Sequence, residues 1–416
     1  MADNASPISR QGRDATLRTP RAVLISIALG IMLVPLNSTM IAVALPDIMH
    51  AFDANVRAAG WLVTAYLITM AALQLVTGQL GDHFGRRRLV LGALLYFGLA
   101  SLHAALSPSL LVLLFARVQQ AVAGSILVTN GIALAFEAVP EDRRGRDLGV
   151  LSAILVLAAA GGPPLGGLLV GVGSWRAIFW ANLPIVVAAL LFGSSATSEG
   201  ERQRSKRLFD WGQIPSLFQR HSFARANGAI MFSNLGTYVL LLAIPILMSV
   251  MGDWSSLQTG LVLAVMSITT ALFSPIGGRL SDRIGRRIPS VVGAALLALG
   301  VLPLGLLTDT TNISLLVVCL GLAGTGLGLS SVSLQTAALE SVELQQTGVA
   351  TGISSTSRYL GSIAGSLVLA RLLGPEPIDA ANFRAAFLGV SIAASLALLL
   401  SWGIRDNARA TPLSHL

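Results

Sequence analysis

Gly78-Gln-Leu80-Gly-Asp82-His-Phe-Gly85-Arg86-Arg87 returns 200 residues later as Gly278-Arg-Leu280-Ser-Asp282-Arg-Ile-Gly285-Arg286-Arg287, with six of ten positions identical. Each copy joins two apolar runs long enough to cross a ~30 Å hydrocarbon core, which takes ~20 residues of helix. Working outward from the two copies, length, flanking charge and Gly/Pro punctuation predict helices over 22–46, 57–80, 88–106, 109–136, 147–171 and 175–193. A second set follows over 226–250, 257–280, 288–307, 313–338, 347–373 and 382–404. The chain therefore reads as an all-α integral membrane protein, with twelve transmembrane helices in two pseudo-symmetric six-helix bundles. The predicted organisation is a tail over 1–21, a first bundle over 22–193, a linker over 194–225, a second bundle over 226–404 and a tail over 405–416.

Composition agrees with this reading, since 54% of the 416 residues are hydrophobic and only 12% charged, against about a quarter charged in soluble domains. A net charge of +8 raises the question of nucleic acid, but the basic residues lie between the apolar runs, where membrane topology accounts for them. With the N-terminus placed in the cytoplasm, 22 of the 28 Lys and Arg residues fall on the cytoplasmic side. Arg57, Arg176, Arg371 and Arg384 fall on the other side, and Arg117 and Arg358 inside helices. By the positive-inside rule both termini are cytoplasmic, in a cell inner membrane. The first apolar run is too long for the core of a cleavable signal peptide. The single cysteine, Cys319, lies in an apolar run and permits no intramolecular disulfide. The linker is charged at first and then carries Leu208, Phe209, Trp211, Ile214, Leu217 and Phe218, which fits an interfacial helix or an irregular tether equally.

Enzyme chemistry finds no support. His50, His83, His103, His221 and His415 are scattered over loops and helix ends, with no metal cluster and no acid pair at membrane depth. No phosphate-binding loop is present, so ATP is not an expected energy source. No cofactor is expected, and nothing resembles a channel selectivity filter. An internal repeat is instead the mark of transporters whose halves rock about a midplane site.

Four segments resemble the major facilitator superfamily over essentially the whole chain, and within it the drug:proton antiporter branch. The first is the repeated loop, where Gly78, Asp82, Gly85 and Arg86 are echoed by Asp282, Gly285 and Arg286. Its glycines permit a tight turn, and a carboxylate beside arginines can pair with them or with a helix N-terminus. The resemblance implies a gate latch there; a topology determinant with a turn explains the arginines but not the spaced glycines and aspartate in both copies. The second is Arg117-Val-Gln-Gln120-Ala121-Val-Ala-Gly124, similar to the family's arginine-x-x-glutamine-glycine motif with Ala121 in the glycine's place. The third is Gly149, Ala158 and Gly162-Pro163-Pro164-Leu165-Gly166-Gly167, which resembles the antiporter motif of exporters and has Ala158 for a usual glycine. Small residues there also suit plain helix packing. The fourth is Trp175-Arg176-Ala-Ile-Phe179-Trp-Ala-Asn182-Leu-Pro184, typical of a group many of whose members have fourteen helices, whereas this chain has room for twelve.

The first helix departs from that group: Leu36-Asn37-Ser38-Thr39-Met40 has Asn37 where the aspartate is usual, and an amide does not exchange a proton. No carboxylate lies near the middle of any predicted helix, so proton coupling would run through Glu137, Glu340, Asp47 or Asp82. An arginine inside a bilayer is expensive enough to be a functional candidate by default. Candidate substrate and coupling residues are Asn37, Gln74, Arg117, Gln120, Asn130 and Arg358, with Asn234, Tyr238, Gln335 and Thr336 as further polar positions that could line a path. Two inward arginines without an acid favour neutral or anionic substrates over cations. The resemblance implies a monomeric secondary transporter that exports small organic molecules, in multidrug or metabolite efflux, by antiport with protons. A facilitator or importer of a metabolite and a transporter-derived membrane sensor are the alternatives; the helix 5 motif favours export over the first, and measured flux would exclude the second.

Overall fold

The computed structural model describes residues 10–139, 143–194, 214–252, 254–306, 312–343, 346–374 and 378–405, with 10–21, 75, 79, 82, 144–146, 214, 251 and 348 described by backbone alone. The first half contains α1 (Arg10–Ala51), α2 (Val56–Phe84), α3 (Arg86–Ala105), α4 (Leu110–Ala138), α5 (Arg144–Val172), α6 (Ala177–Trp180) and α7 (Asn182–Ser194). After the short α8 (Ile214–Phe218) come α9 (His221–Met251), α10 (Ser256–Ile284), α11 (Arg287–Leu306), α12 (Ile313–Glu340), α13 (Thr347–Leu372) and α14 (Ala380–Trp402). The apolar linker positions Leu208, Phe209 and Trp211 lie outside the described residues. Within the described part, Leu217 of α8 is buried and Phe218 stacks edge-on against Phe223.

Eleven spans among the described residues are long and apolar enough to cross a membrane, α6 and α7 together making one of them. The twelfth expected span, α13, falls short because Ser354, Ser355, Thr356, Ser357, Arg358, Ser362 and Ser366 dilute its apolar residues. That dilution marks a helix facing a polar interior.

Successive helices alternate in direction, so one face carries the Gly85 and Gly285 loops and the other the turns near 52–55, 106–109 and 252–255. These are called here the arginine face and the far face. α2 and α10 run a few residues beyond the predicted ends and stop at the loop glycines, whose φ values are 91° and 93°. Both are in a region essentially reserved for glycine, so Gly85→Ala or Gly285→Ala should destabilise the protein by about 1–3 kcal/mol, read as a lowered melting temperature. Unchanged melting in both would show that neither turn requires glycine.

Of the helices entering from the far face, all but α6 carry side-chain N-caps. Asn55, Ser109, Ser255, Asn312 and Asp379 each accept a hydrogen bond from an N–H of the first turn, and Ser255 with Gln258 and Asp379 with Asn382 form reciprocal capping boxes. Such caps satisfy backbone donors that lipid cannot. On the arginine face the loops are instead tied by ion pairs: Arg86 to Glu137 at 2.8 Å, and Arg286 to Glu340 at 2.6 Å and to Asp282 at 2.6 Å. The hydrogen bonds it donates to Glu340 hold the Arg286 guanidinium charged well above its ordinary range, against the opposing effect of burial, and Asp282 adds to this. The repeat thus extends to a partner glutamate at the end of α4 and of α12.

The two halves meet toward the far face. Thr64 of α2 and Ser366 of α13 lie 2.9 Å apart, and Ser256 at the start of α10 donates to Asp47 of α1 at 3.0 Å. α5 crosses α10 at Gly167 and Gly260, where a Cβ added to either glycine would lie within about 3 Å of the opposing backbone. Nearer mid-depth, Ser38 of α1 and Tyr238 of α9 share a hydrogen bond of 3.3 Å.

Candidate functional site

Arg117 lies two turns into α4 from the far face and is fully buried. A buried guanidinium must find donors' partners within the protein. Its Nε donates to the Leu62 carbonyl of α2 at 3.3 Å, its Nη1 donates to Gln120 Oε1 at 2.8 Å, and its Cζ sits 4.3 Å from the Tyr66 ring centroid. The three-residue spacing to Gln120 puts both on one helix face, which is why this motif can act as a unit. Arg117 Nη2 and the Tyr66 hydroxyl remain without a hydrogen-bond partner.

Gln120 carries the network into other helices. Its Nε2 donates to Ser101 of α3 at 2.9 Å, and its Oε1 also accepts from Asn37 Nδ2 at 3.1 Å. Asn182, the first residue of α7 after the break at Ala181, donates to Asn37 Oδ1 and to Ser101, each at 3.2 Å. Asn37 therefore donates on one side and accepts on the other, which an ionised aspartate cannot do. The departure at this position has a structural reason beyond the loss of a proton carrier.

Arg358 belongs to a different part of the interior. Along α13, Gly361 and Gly365 pack on the Met231 and Leu235 carbonyls of α9, while Ser366 and Ala370 meet Thr64 and Gly60 of α2. At roughly 3.6 residues per turn, Arg358 falls between these two faces and so points into the space between the halves, where it is exposed. Tyr238 and Tyr359 are partly exposed beside it and feel its charge.

Other expected residues are distributed differently. Asn130 is buried in the seam of α2 and α4, donating to the Thr77 carbonyl at 2.9 Å and filling the space over Gly81, so it pins two helices together. Gln74 is half-buried with an unpartnered Oε1, and Gly78 packs against Thr129. The side chain of Asp82 is outside the described residues. Of the helix 5 motif, Gly162 packs on Thr39 and Leu36 of α1 and Gly166 on the Met40 backbone, and Pro163 presents its carbonyl to Gly260. Gly149 faces open space.

Sequence reading did not assign Tyr66, Ser101 or Asn182 to the site, nor the bond between Asp47 and Ser256. Only Asn182 carried a signal, as a polar residue in a quoted motif. Glu137 and Glu340 were candidates for proton transfer, and both are paired with loop arginines.

The chain matches the profile of the Major Facilitator Superfamily over residues 27–366 and 226–414. It is 31% identical to an uncharacterized MFS-type transporter, YvkA, of Bacillus subtilis, over 89% of this chain and 95% of that protein. It is also 31% identical to the multidrug resistance protein Stp of Mycobacterium tuberculosis, over 86% of this chain and 76% of that one. Among solved structures, a bacterial homologue of the human lysosomal transporter Spinster superposes with a TM-score of 0.75 at 17% identity, covering 93% of this chain and 98% of that one.

Proposed function

The chain belongs to the Major Facilitator Superfamily, and on that premise we propose that it exports small organic molecules by alternating access, coupled to proton entry, as a monomer in the inner membrane with both termini in the cytoplasm. As a transporter of this superfamily it is a multi-pass membrane protein, not an enzyme, and it moves a small-molecule substrate. The observation that carries the export reading is the α5 motif, whose Gly162, Gly166 and Gly167 bring α5 against both α1 and α10. The named relative Stp, a multidrug resistance protein, supports the same direction. With the halves joined toward the far face, the interior bearing Arg358 faces the cytoplasm in the proposed orientation, the state in which an exporter loads.

Two inward arginines favour neutral or anionic cargo. Everted vesicles with a respiration-driven proton gradient and a pH-reporting dye test this. Neutral or anionic compounds should collapse the gradient; saturable efflux of permanent cations, with the others left unmoved, would overturn the charge assignment.

Proton coupling is assigned to Asp47. Its carboxylate accepts across the halves from Ser256, the first residue of α10, and that bond must break when the far face opens. A cavity of about 200 Å³ adjoins it, lined also by His50, Trp254 and Thr259. Asp47→Asn keeps the hydrogen bond and removes the exchangeable proton, and should reduce substrate-driven gradient collapse about tenfold or more while uncoupled substrate exchange persists. Full collapse in this variant would exclude Asp47 as the carrier.

A further inference from the structure

We propose that the interior site takes an aromatic anion, with its acidic group on Arg358 and its ring against Tyr238 and Tyr359. The inference rests on the transporter reading above and narrows its substrate class.

Tyrosine is rare in this chain, four in all. Three of them, Tyr66, Tyr238 and Tyr359, come from α2, α9 and α13 and lie within electrostatic reach of one another in the interior. Tyr238 is held by its hydroxyl, which shares a hydrogen bond of 3.3 Å with Ser38. Its ring is thereby fixed at the contact between the halves, partly open to the space beside it. Tyr359 follows Arg358 directly and is likewise partly open.

The two interior arginines differ in how their charge is met. Arg117 is enclosed by Gln120, the Leu62 carbonyl and the Tyr66 ring, with no exposed surface. Arg358 is exposed toward the interior, and among the described residues its guanidinium has no ion-pair or hydrogen-bond partner. Arg117 is therefore a supporting charge behind Tyr66, and Arg358 is the group placed to touch a ligand.

A cation entering this space meets two like charges. A neutral aliphatic compound leaves Arg358 uncompensated and gains nothing from the rings. An aromatic carboxylate supplies the missing counter-charge in a planar form that guanidinium recognises, and a face that tyrosine rings pack against. Both features are met together only by this class.

The test uses the full-length protein in lipid nanodiscs, with no gradient, and titrates four probes: 2-naphthoate, its saturated decalin carboxylate, 2-naphthylmethanol and 2-naphthylmethylammonium. 2-Naphthoate should bind at least about tenfold more tightly than each of the others. Arg358→Gln should bring it down to the level of 2-naphthylmethanol, Arg358→Lys should retain the preference for the acid, and Tyr238→Leu with Tyr359→Leu should erase the preference for the ring. If Arg358→Gln does not purify as a folded protein, the Arg358→Lys and tyrosine variants decide the matter. Equal binding of the acid and the alcohol, or charge preference unchanged in Arg358→Gln, would overturn the proposal. Binding of 2-naphthoate without any transport in vesicles would overturn the exporter reading and leave this site standing; transport of other compounds without 2-naphthoate binding would do the reverse.

Discussion

Gly260→Leu and Gly167→Leu are each expected to reduce transport to below about a tenth and to leave the halves apart on the far face. At Gly260 an added Cβ would lie 2.5 Å from the Pro163 carbonyl oxygen and 3.0 Å from Gly167 Cα. At Gly167 it would lie 2.5 Å from the Ser256 carbonyl oxygen and 3.1 Å from Gly260 Cα. These are backbone atoms of the opposite half, so no side chain can swing aside to make room. Lipid supplies no hydrophobic force to hold two helices together, and close backbone approach through small residues is what joins them. Moving the helices apart removes the contact on which far-face closure rests, along with the nearby bond from Ser256 to Asp47. The readout is labelling by a membrane-impermeant thiol reagent of a cysteine placed at Ser249, which lines the far-face cavity, in a chain whose own Cys319 is buried. Labelling should rise as transport falls. Gly149→Ala is the control from the same motif, because nothing lies within 4 Å of its Cβ position, and it should transport normally. Normal transport by Gly260→Leu would show that this crossing is not part of the closed state.

These glycines also show what a sequence discloses about such a fold. Gly85 and Gly285 were legible because the same turn is written twice, and both positions take a positive φ, 91° and 93°. Twelve helices were legible because hydropathy acts over whole segments, and even α13 was placed correctly despite the serines that thin it. The division of the helix 5 motif was not legible. Gly149, Gly162 and Gly167 are chemically alike, and a helix that packs on α1 along one side and α10 along another has no single polar face to orient it. Arg117 and Gln120 were found because a charge at membrane depth announces itself, and their spacing sets them on one face. Asn37, which donates to Gln120, was among the candidates, but the other partners were not found. Ser101 and Tyr66 are ordinary residues in ordinary positions and Asn182 was only a polar residue in a quoted motif; the packing of α3, α2 and α7 brings all three into the network around Arg117 and Gln120. The glutamates read as proton carriers illustrate the same limit: Glu340 is 54 positions from Arg286, and only the return of α12 to the arginine face brings them together.

Gln120→Leu is expected to destabilise the protein far more than Arg117→Met, although the second removes the charged residue itself. Gln120 Oε1 accepts from both Arg117 and Asn37. Replacing it with leucine strips an acceptor from a buried cation and from a buried amide at once, and the guanidinium is left with a long bond to a carbonyl and a ring. Leaving a buried donor without its acceptor typically costs about 1–3 kcal/mol, and more when the donor is charged. Arg117→Met removes the charge together with its need for partners, fills similar volume with an apolar chain, and leaves Gln120 still accepting from Asn37. Replacing buried charge by packed apolar residues is often neutral or stabilising. Melting of the purified proteins should therefore fall steeply for Gln120→Leu and little for Arg117→Met, and the double variant should recover much of the loss, since the penalty of Gln120→Leu exists only while the cation is present. If the two losses simply add, Arg117 and Gln120 do not act as one unit. Arg117→Met should remain folded yet transport poorly, because the interior then lacks one of the two positive charges that favour an anionic cargo. A folded variant with native transport would remove Arg117 from the site and leave it a structural residue.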